Sequence, residues 1–385
     1  MTGLLWLNVM RRKLSWLCFW AIFLLGTACG PHRENEERTT ADTLTFRHAS
    51  LLLVVRHQGY TVAEVLNPWH PSRLLHRYLL VPRSAEVPPR LPQGTLLRTP
   101  LRRMTVAVAA HGCLFREIGA EGAVRGVCDV EYILSPWFRK ALQVGKVADM
   151  GSSTHCDVEK ILAVHCDAVL LSPYDQCNYG AIEKTQVPIV ECADYMETSP
   201  LGRAEWMRFY GMLVGREAVA DSIFKNVERE YTLLKARAQA TEERPSLFAD
   251  LMTGSTWYQP GGRSTMGRLY ADAGVRYLWD DNERAGSLAL DYESVFHRAH
   301  DAALWVVRYG APQDFTYASL LREQPGYARF RAHRQRHIWG CNLFRVPFFE
   351  DGAFHPERLL SDLVHIAHPH ADEDAALHYF SPLHE

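Results

Sequence analysis

Residues 155–167 read HCDVEKILAVHCD, with His-Cys-Asp at 155–157 and again at 165–167. Imidazole beside thiolate is a donor set for zinc and related metals. The spacing speaks against it here. Were 155–165 helical throughout, His155 and His165 would lie ~15 Å apart along the axis, too far to share an ion. The expectation is therefore no metal site and no resident cofactor, with both tripeptides at helix–strand junctions. Covalent catalysis finds no better footing. The chain has no G-x-S-x-G elbow, no H-E-x-x-H, no P-loop and no G-x-G-x-x-G, and Gly254-Ser255 lacks the second glycine of an elbow. The expectation is a protein that is not an enzyme.

The tripeptide conceals a longer repeat. DVEKILAVHCDAVLL (157–171) aligns with DYESVFHRAHDAALW (291–305) at a constant offset of 134 residues. Asp157 meets Asp291, Glu159 meets Glu293, Asp167 meets Asp301 and Leu170 meets Leu304, whereas His-Cys is not kept. Each copy reads as an Asp-capped helix with Glu in its first turn, followed by a short apolar run suited to a buried parallel strand. Two such copies imply two similar α/β lobes.

The elements around the repeat fit that plan. Apolar runs at 105–110, 167–172, 186–192, 246–252 and 336–341 read as strands. Ser199-Pro200 opens a helix that stops at Gly215, residues 266–274 form a helix ending in Gly, and 358–369 form a closing amphipathic helix. Between the lobes, 216–240 carries Val219, Ile223, Val227, Tyr231 and Leu234 on one stripe with no Gly or Pro. One helix of this length spans ~37 Å and implies little hinge motion.

The N-terminus has a different character. Arg11-Arg12-Lys13 precede LSWLCFWAIFLLGTA and then Cys29. A basic stretch, a short apolar core and small residues before the cut describe an export signal, and the core is short for a bilayer span of ~20 residues. Gly26-Thr27-Ala28-Cys29 resembles a bacterial lipobox, with Leu25 one position further from the cut than usual. Met10 is an alternative start. Cys29 is thus the expected lipidation site, and the polar stretch after it a tether. Seven further cysteines (113, 128, 156, 166, 177, 192 and 341) are an odd number, so at least one thiol stays free or pairs between molecules, and their pairing is open. The 385-residue chain has formal net charge −2, with no basic excess to suggest nucleic acid.

The signal with its lipobox, the two lobes and the single connecting helix resemble the class III periplasmic substrate-binding proteins of ABC importers for iron-siderophore, haem and cobalamin. The resemblance covers roughly 100–370 and is most specific in VADMGSSTHCDVEKILAVHCDAVLLSPY and LDYESVFHRAHDAALWV. Cys166 and His300 stand where the family usually has Pro. QPGGRSTMGRLYADAGVRYL and FFEDGAFHPERLLSDLVHIAHP also match family segments, and YMETSPLGRAEWMRFYG is similar to Bacteroidetes lipoprotein members.

The resemblance implies an α/β fold of two Rossmann-like lobes joined by one long helix, with the ligand cleft between them. The implied division is 1–28 signal peptide, 29–42 tether, 43–215 N-terminal lobe (43–100 an extra β-hairpin region), 216–241 connecting helix and 242–385 C-terminal lobe. It places the protein in the periplasm, lipid-anchored to a membrane, with a permease dimer and its ATPase as partners. One acidic residue per lobe would dock the permease, falling on Glu159 and Glu293. Loops at strand C-termini would line the cleft, nominating His111, Tyr174, Trp257, Tyr258, Arg263, Asn342 and Phe348. The ligand would be an iron complex, haem or ferric siderophore, with a corrinoid (cobalamin) as the alternative. A lipid-anchored tetrapyrrole or metal chelatase on the same fold is a further alternative. A bare-metal binder would need several convergent ligands, and the cleft loops offer only His111.

Overall fold

The computed structural model describes residues 42–370 and 377–385. The signal segment, Cys29 and all but the last residue of the tether lie outside the described residues. Each lobe is built around one main sheet, and the C-terminal lobe adds a three-stranded antiparallel sheet of Met252–Thr253, Thr256–Pro260 and Ser287–Leu290. The N-terminal sheet has five parallel strands in the order Ile189–Glu191, Ala168–Leu171, Met104–Val106, Val124–Val127, Ala148–Asp149. Its central strands MTV and AVLL are buried at every position, as strands covered on both faces must be. The C-terminal sheet runs Arg276–Tyr277, Ser246–Ala249, Leu304–Tyr309, Ile338–Asn342 in parallel, with Ser381–Pro382 antiparallel at its edge.

The 134-residue repeat is structural. Asp157 caps helix Val158–Ala163, its carboxylate accepting from Lys160 N at 3.1 Å. Asp291 caps helix Tyr292–Ala299 the same way, accepting from Ser294 N at 2.6 Å. The helix does not begin at His155, however. Residues His155–Cys156 are a short strand paired with Gly151–Ser152.

Helix Pro200–Leu213 starts at Ser199, whose side chain accepts from Gly202 N, with Pro200 in the first turn. A tight reversal leads into the 24-residue connecting helix Glu217–Ala240. Its buried stripe is Ala220, Phe224, Val227, Tyr231, Leu234 and Ala238, while Val219 is exposed. The stripe thus begins one residue later than the apolar pattern implied. Gly211 is the cause: a Cβ there would sit 2.8 Å from the Ala220 methyl, so its absence lets the two helices close on Ala220.

Residues 42–99 form a five-stranded sheet, larger than the hairpin the resemblance implied. Asp42–Leu44, Leu52–His57, Tyr60–Leu66 and Leu74–Pro82 pair antiparallel in sequence, and Thr95–Thr99 adds parallel to the last. Two buried carboxylates attach its approach to the N-terminal lobe. Glu205 accepts from the amides of Arg47, His48 and Ala49 at 2.8–3.1 Å. Glu197 accepts from the amides of Ser50 and Leu51 at 2.9–3.0 Å and from the Trp206 indole at 3.0 Å. At the far side the Tyr78 hydroxyl accepts from Glu191 N at 2.7 Å.

Candidate functional site

Parallel strands leave a crevice beyond their carboxyl ends, where loops diverge to opposite faces. In this chain the crevices of the two lobes face each other. A cavity of about 380 Å³ lies between Ala107, Cys128 and Tyr132 of the N-terminal lobe and Gly310, Phe344 and Phe349 of the C-terminal lobe. A second cavity of about 610 Å³ shares Ala107, Val108 and Ser153 with it and continues past His155, Tyr174 and Tyr179. No Lys or Arg lines either cavity. Four large aromatics, Tyr132, Tyr174, Phe344 and Phe349, remain 48–62% exposed there. Apolar rings left in water around a concavity mark a binding surface more than a folding core.

Particular local devices shape this cleft. Asn342, buried at the end of its strand, donates from Nδ2 to Ala311 O and Asp314 Oδ1, both at 2.9 Å. Its Oδ1 accepts from Phe344 N at 3.2 Å, so one side chain holds both C-terminal loops that form the wall. Gly310 permits the close seat of Phe344, since a Cβ there would lie 2.8 Å from the ring. On the opposite wall Asp129 has φ +50° and accepts from Ser153 N at 3.1 Å, fixing the start of the loop that carries Tyr132.

Two contacts bind the lobes at the cleft's back. The buried Glu350 carboxylate of the C-terminal lobe accepts from Leu134 N at 2.9 Å and Ser135 N at 3.0 Å, at the entry to helix Pro136–Gln143. His355 sits 2.8 Å from Glu117 of the N-terminal lobe through Nε2 and 2.8 Å from Glu357 through Nδ1. Burial alone would lower the His355 pKa, but hydrogen bonds to the two carboxylates prevail and push it up to about 9.

Of the seven residues nominated from sequence, Tyr174 lines the second cavity, and Asn342 positions its neighbours. The others lie elsewhere. His111 belongs to helix Ala109–Glu117, because the strand expected over 105–110 ends at Val106. It is buried, with Nε2 2.9 Å from Asp194 Oδ1, which also accepts from the Tyr210 hydroxyl at 2.7 Å. Burial would raise the Asp194 pKa, but His111, Arg203 and Tyr210 outweigh it and hold it at about 2. Trp257 is fully buried against Phe248, Trp305 and Phe330, donating from Nε1 to Ala249 O at 3.0 Å. Tyr258, next on the strand, points to the opposite face and is exposed. Arg263 pairs with exposed Glu283 at 3.2 Å. Phe348 is buried with the Arg308 guanidinium 5.7 Å from its ring centre. None of these five lines the two cleft cavities. Glu159 and Glu293 are exposed in the first turns of their capped helices, and no ion pair among the described residues engages either.

Tyr132, Phe344 and Phe349 were not nominated from sequence. The signal for Tyr132 is the short stretch VRGV at 124–127, a strand with buried Val124 and Val127 whose following segment carries it. Phe344 and Phe349 follow the strand Ile338–Asn342 in the aperiodic stretch LFRVPFF.

Among the described residues no helix is long and apolar enough to cross a membrane, and no group of three or more His, Cys, Asp or Glu could hold a metal ion. Residues 118–342, more than half of the chain, match the family model described as periplasmic binding protein. An uncharacterised lipoprotein of Methanocaldococcus jannaschii is 27% identical over 74% of this chain and 69% of its own length. A second lipoprotein of that organism is 23% identical over 79% and 80%. Among solved structures, a periplasmic heme-binding protein from Pseudomonas aeruginosa superposes with TM-score 0.55 at 16% identity, covering 74% of this chain and 99% of that one. A protein of an ABC-type Fe3+-hydroxamate transport system from Saccharomonospora viridis does so with TM-score 0.54 at 18% identity, covering 69% and 92%. The chain belongs to the periplasmic binding protein family, in the class whose two lobes are joined by a single helix.

Proposed function

We propose that this member of the family is the extracytoplasmic substrate-binding component of an ABC importer and carries an iron complex, haem before ferric siderophore. The observation that carries the reading is the facing set of exposed rings, Tyr132 from one lobe and Phe344 and Phe349 from the other, around a cavity whose own lining has no Lys or Arg; Arg116, Arg345 and Arg358 line the adjoining cavity past Glu350. A planar macrocycle offers both faces to such rings. A polyanionic catecholate complex would call for Arg or Lys. Tyr132, Tyr174 and His155 supply the oxygen and nitrogen donors that ferric iron accepts. A lining without cations also suits a neutral corrinoid, which is the second reading. A visible-absorption titration of the purified protein with hemin, cyanocobalamin, a ferric hydroxamate and a ferric catecholate separates these. Saturable one-to-one binding of hemin supports the proposal, and binding of the catecholate alone overturns it.

Glu159 and Glu293 fit the permease contact. Each lies at the N-terminus of a helix leading into a parallel strand, the end of the α/β unit where strands finish and the cleft opens. Val158, beside Glu159, itself lines the second cavity. Anchoring through a lipid on Cys29 is part of the same proposal, supported by the lipobox and the lipoprotein relatives.

A further inference from the structure

Cys128 and Cys156 face each other with their sulfurs 3.4 Å apart. No other pair of cysteine sulfurs among the described residues lies within hydrogen-bond distance. The backbone holds both positions. Met150 N donates to Val127 O and Asp129 N to Gly151 O, each at 2.9 Å, while Cys156 pairs in register with Gly151. A disulfide bond is about 2.05 Å long, so the two sulfurs stand little more than an ångström beyond bonding distance. The place is notable too. Cys128 lines the cavity between the lobes and Cys156 lines the second cavity, so the two sulfurs stand in the partition between them.

We infer that Cys128 and Cys156 are a disulfide-forming pair that ties the Tyr132-bearing loop to the 152–155 turn. The inference rests on the extracytoplasmic reading above, since disulfides persist outside the reducing cytosol. The oxidant is a glutathione or protein disulfide. Cys156 attacks as thiolate, forming a mixed disulfide and expelling one oxidant thiol. Cys128, deprotonated in turn, displaces the second. The pair loses two electrons and two protons, and the oxidant leaves as two thiols. The order follows from the environment. The hydrogen bond from Cys128 outweighs burial and lowers the Cys156 pKa, whereas the same bond and burial raise that of Cys128.

The test uses the purified full-length chain, equilibrated folded in glutathione buffers from reducing to oxidising, alkylated with N-ethylmaleimide and digested with trypsin. Under oxidising buffer the peptides 126–139 and 147–160 should appear joined, two hydrogens lighter than their sum, and should separate on reduction. Alkylation of both cysteines in every buffer overturns the pair, as does linkage of either to Cys166 or Cys177. Amide hydrogen exchange over 129–155 should be slower in the oxidised protein, and equal exchange overturns the tie to the cleft wall. Because the redox buffer is imposed in vitro, a chain retained in the cytoplasm would still pair here. Cell fractionation tests export separately.

Discussion

His355 of the C-terminal lobe lies 2.8 Å from Glu117 of the N-terminal lobe, and its other ring nitrogen lies 2.8 Å from Glu357. The imidazolium therefore joins two carboxylates across the lobe boundary. Its folded pKa, about 9, stands above the ordinary 6.5 of an unfolded chain, so the folded state holds the proton more tightly. The contribution is whole below about pH 6.5 and fades as pH rises through 9. It is on the order of 3 kcal/mol. Denaturant midpoints measured at pH 6, 8 and 10 should fall along that series. His355→Gln should lower the midpoint at pH 6 and flatten the fall, and an unchanged slope would show that other groups set it.

Glu205→Ala strips acceptors from the amides of Arg47, His48 and Ala49. Leaving buried donors unsatisfied costs ~1–3 kcal/mol each when water cannot reach them, so a loss of about 3 kcal/mol is expected overall. Glu205→Gln keeps one carbonyl oxygen and should fall between. Thermal unfolding together with hydrogen exchange over 42–99 reads both effects.

Phe344→Ala and Phe349→Ala should each raise the Kd of the bound complex by about 5- to 30-fold, equivalent to ~1–2 kcal/mol of lost ring contact. Both rings are largely exposed without ligand, so the unfolding midpoint should hardly move. Titration with hemin alongside a melting curve separates affinity from stability.

Trp257→Ala should behave in the opposite way. The ring is fully buried among other aromatics, so truncation costs ~3–5 kcal/mol in folding. Any folded fraction should bind ligand with near-normal affinity. Selective loss of binding in a stable variant would return Trp257 to the cleft.

Glu159→Arg together with Glu293→Arg should leave ligand binding unchanged and abolish uptake and stimulated ATP hydrolysis in reconstituted transporter. Each exposed pair contributes only ~0.2–1 kcal/mol, but reversal turns attraction into repulsion at both lobes. Normal transport by the double variant would remove both residues from docking.

The architecture was legible where one sequence rule repeats. Asp157 and Asp291 cap equivalent helices, each followed by a buried strand, because a cap and an apolar run are local features. The cleft was less legible. Within TVAVAAHG the run VAVAA is apolar and short, a pattern that strand and helix share, so the turn into helix at Ala109 and the burial of His111 have no periodic signature. Trp257 and Tyr258 are adjacent aromatics, and only the strand's pairing decides which faces inward. Tyr132 ends the short 3-10 turn Val130–Tyr132, Phe344 lies in a turn and Phe349 in the short helix Phe348–Asp351, and their placement depends on long-range bonds such as Asn342 to Ala311 and Asp314 and Ser153 to Asp129. The first HCD motif marks a junction, with His155 exposed in a short strand just before the cap Asp157. The opposition of Cys156 to Cys128 depends on a strand reversal at 151–156 that no apolar pattern announces.

Five consecutive backbone amides, from Arg47 to Leu51, are received by only two side chains, Glu205 and Glu197. Every residue type except proline presents the same amide. The backbone hydrogen bonds that join the 42–99 sheet to the N-terminal lobe are therefore indifferent to side-chain identity at 47–51, proline excepted, and exacting at two glutamates. Random mutagenesis of the region should find exposed Arg47 open to every residue but proline, buried Ala49 confined to small side chains, and Glu197 and Glu205 accepting almost nothing.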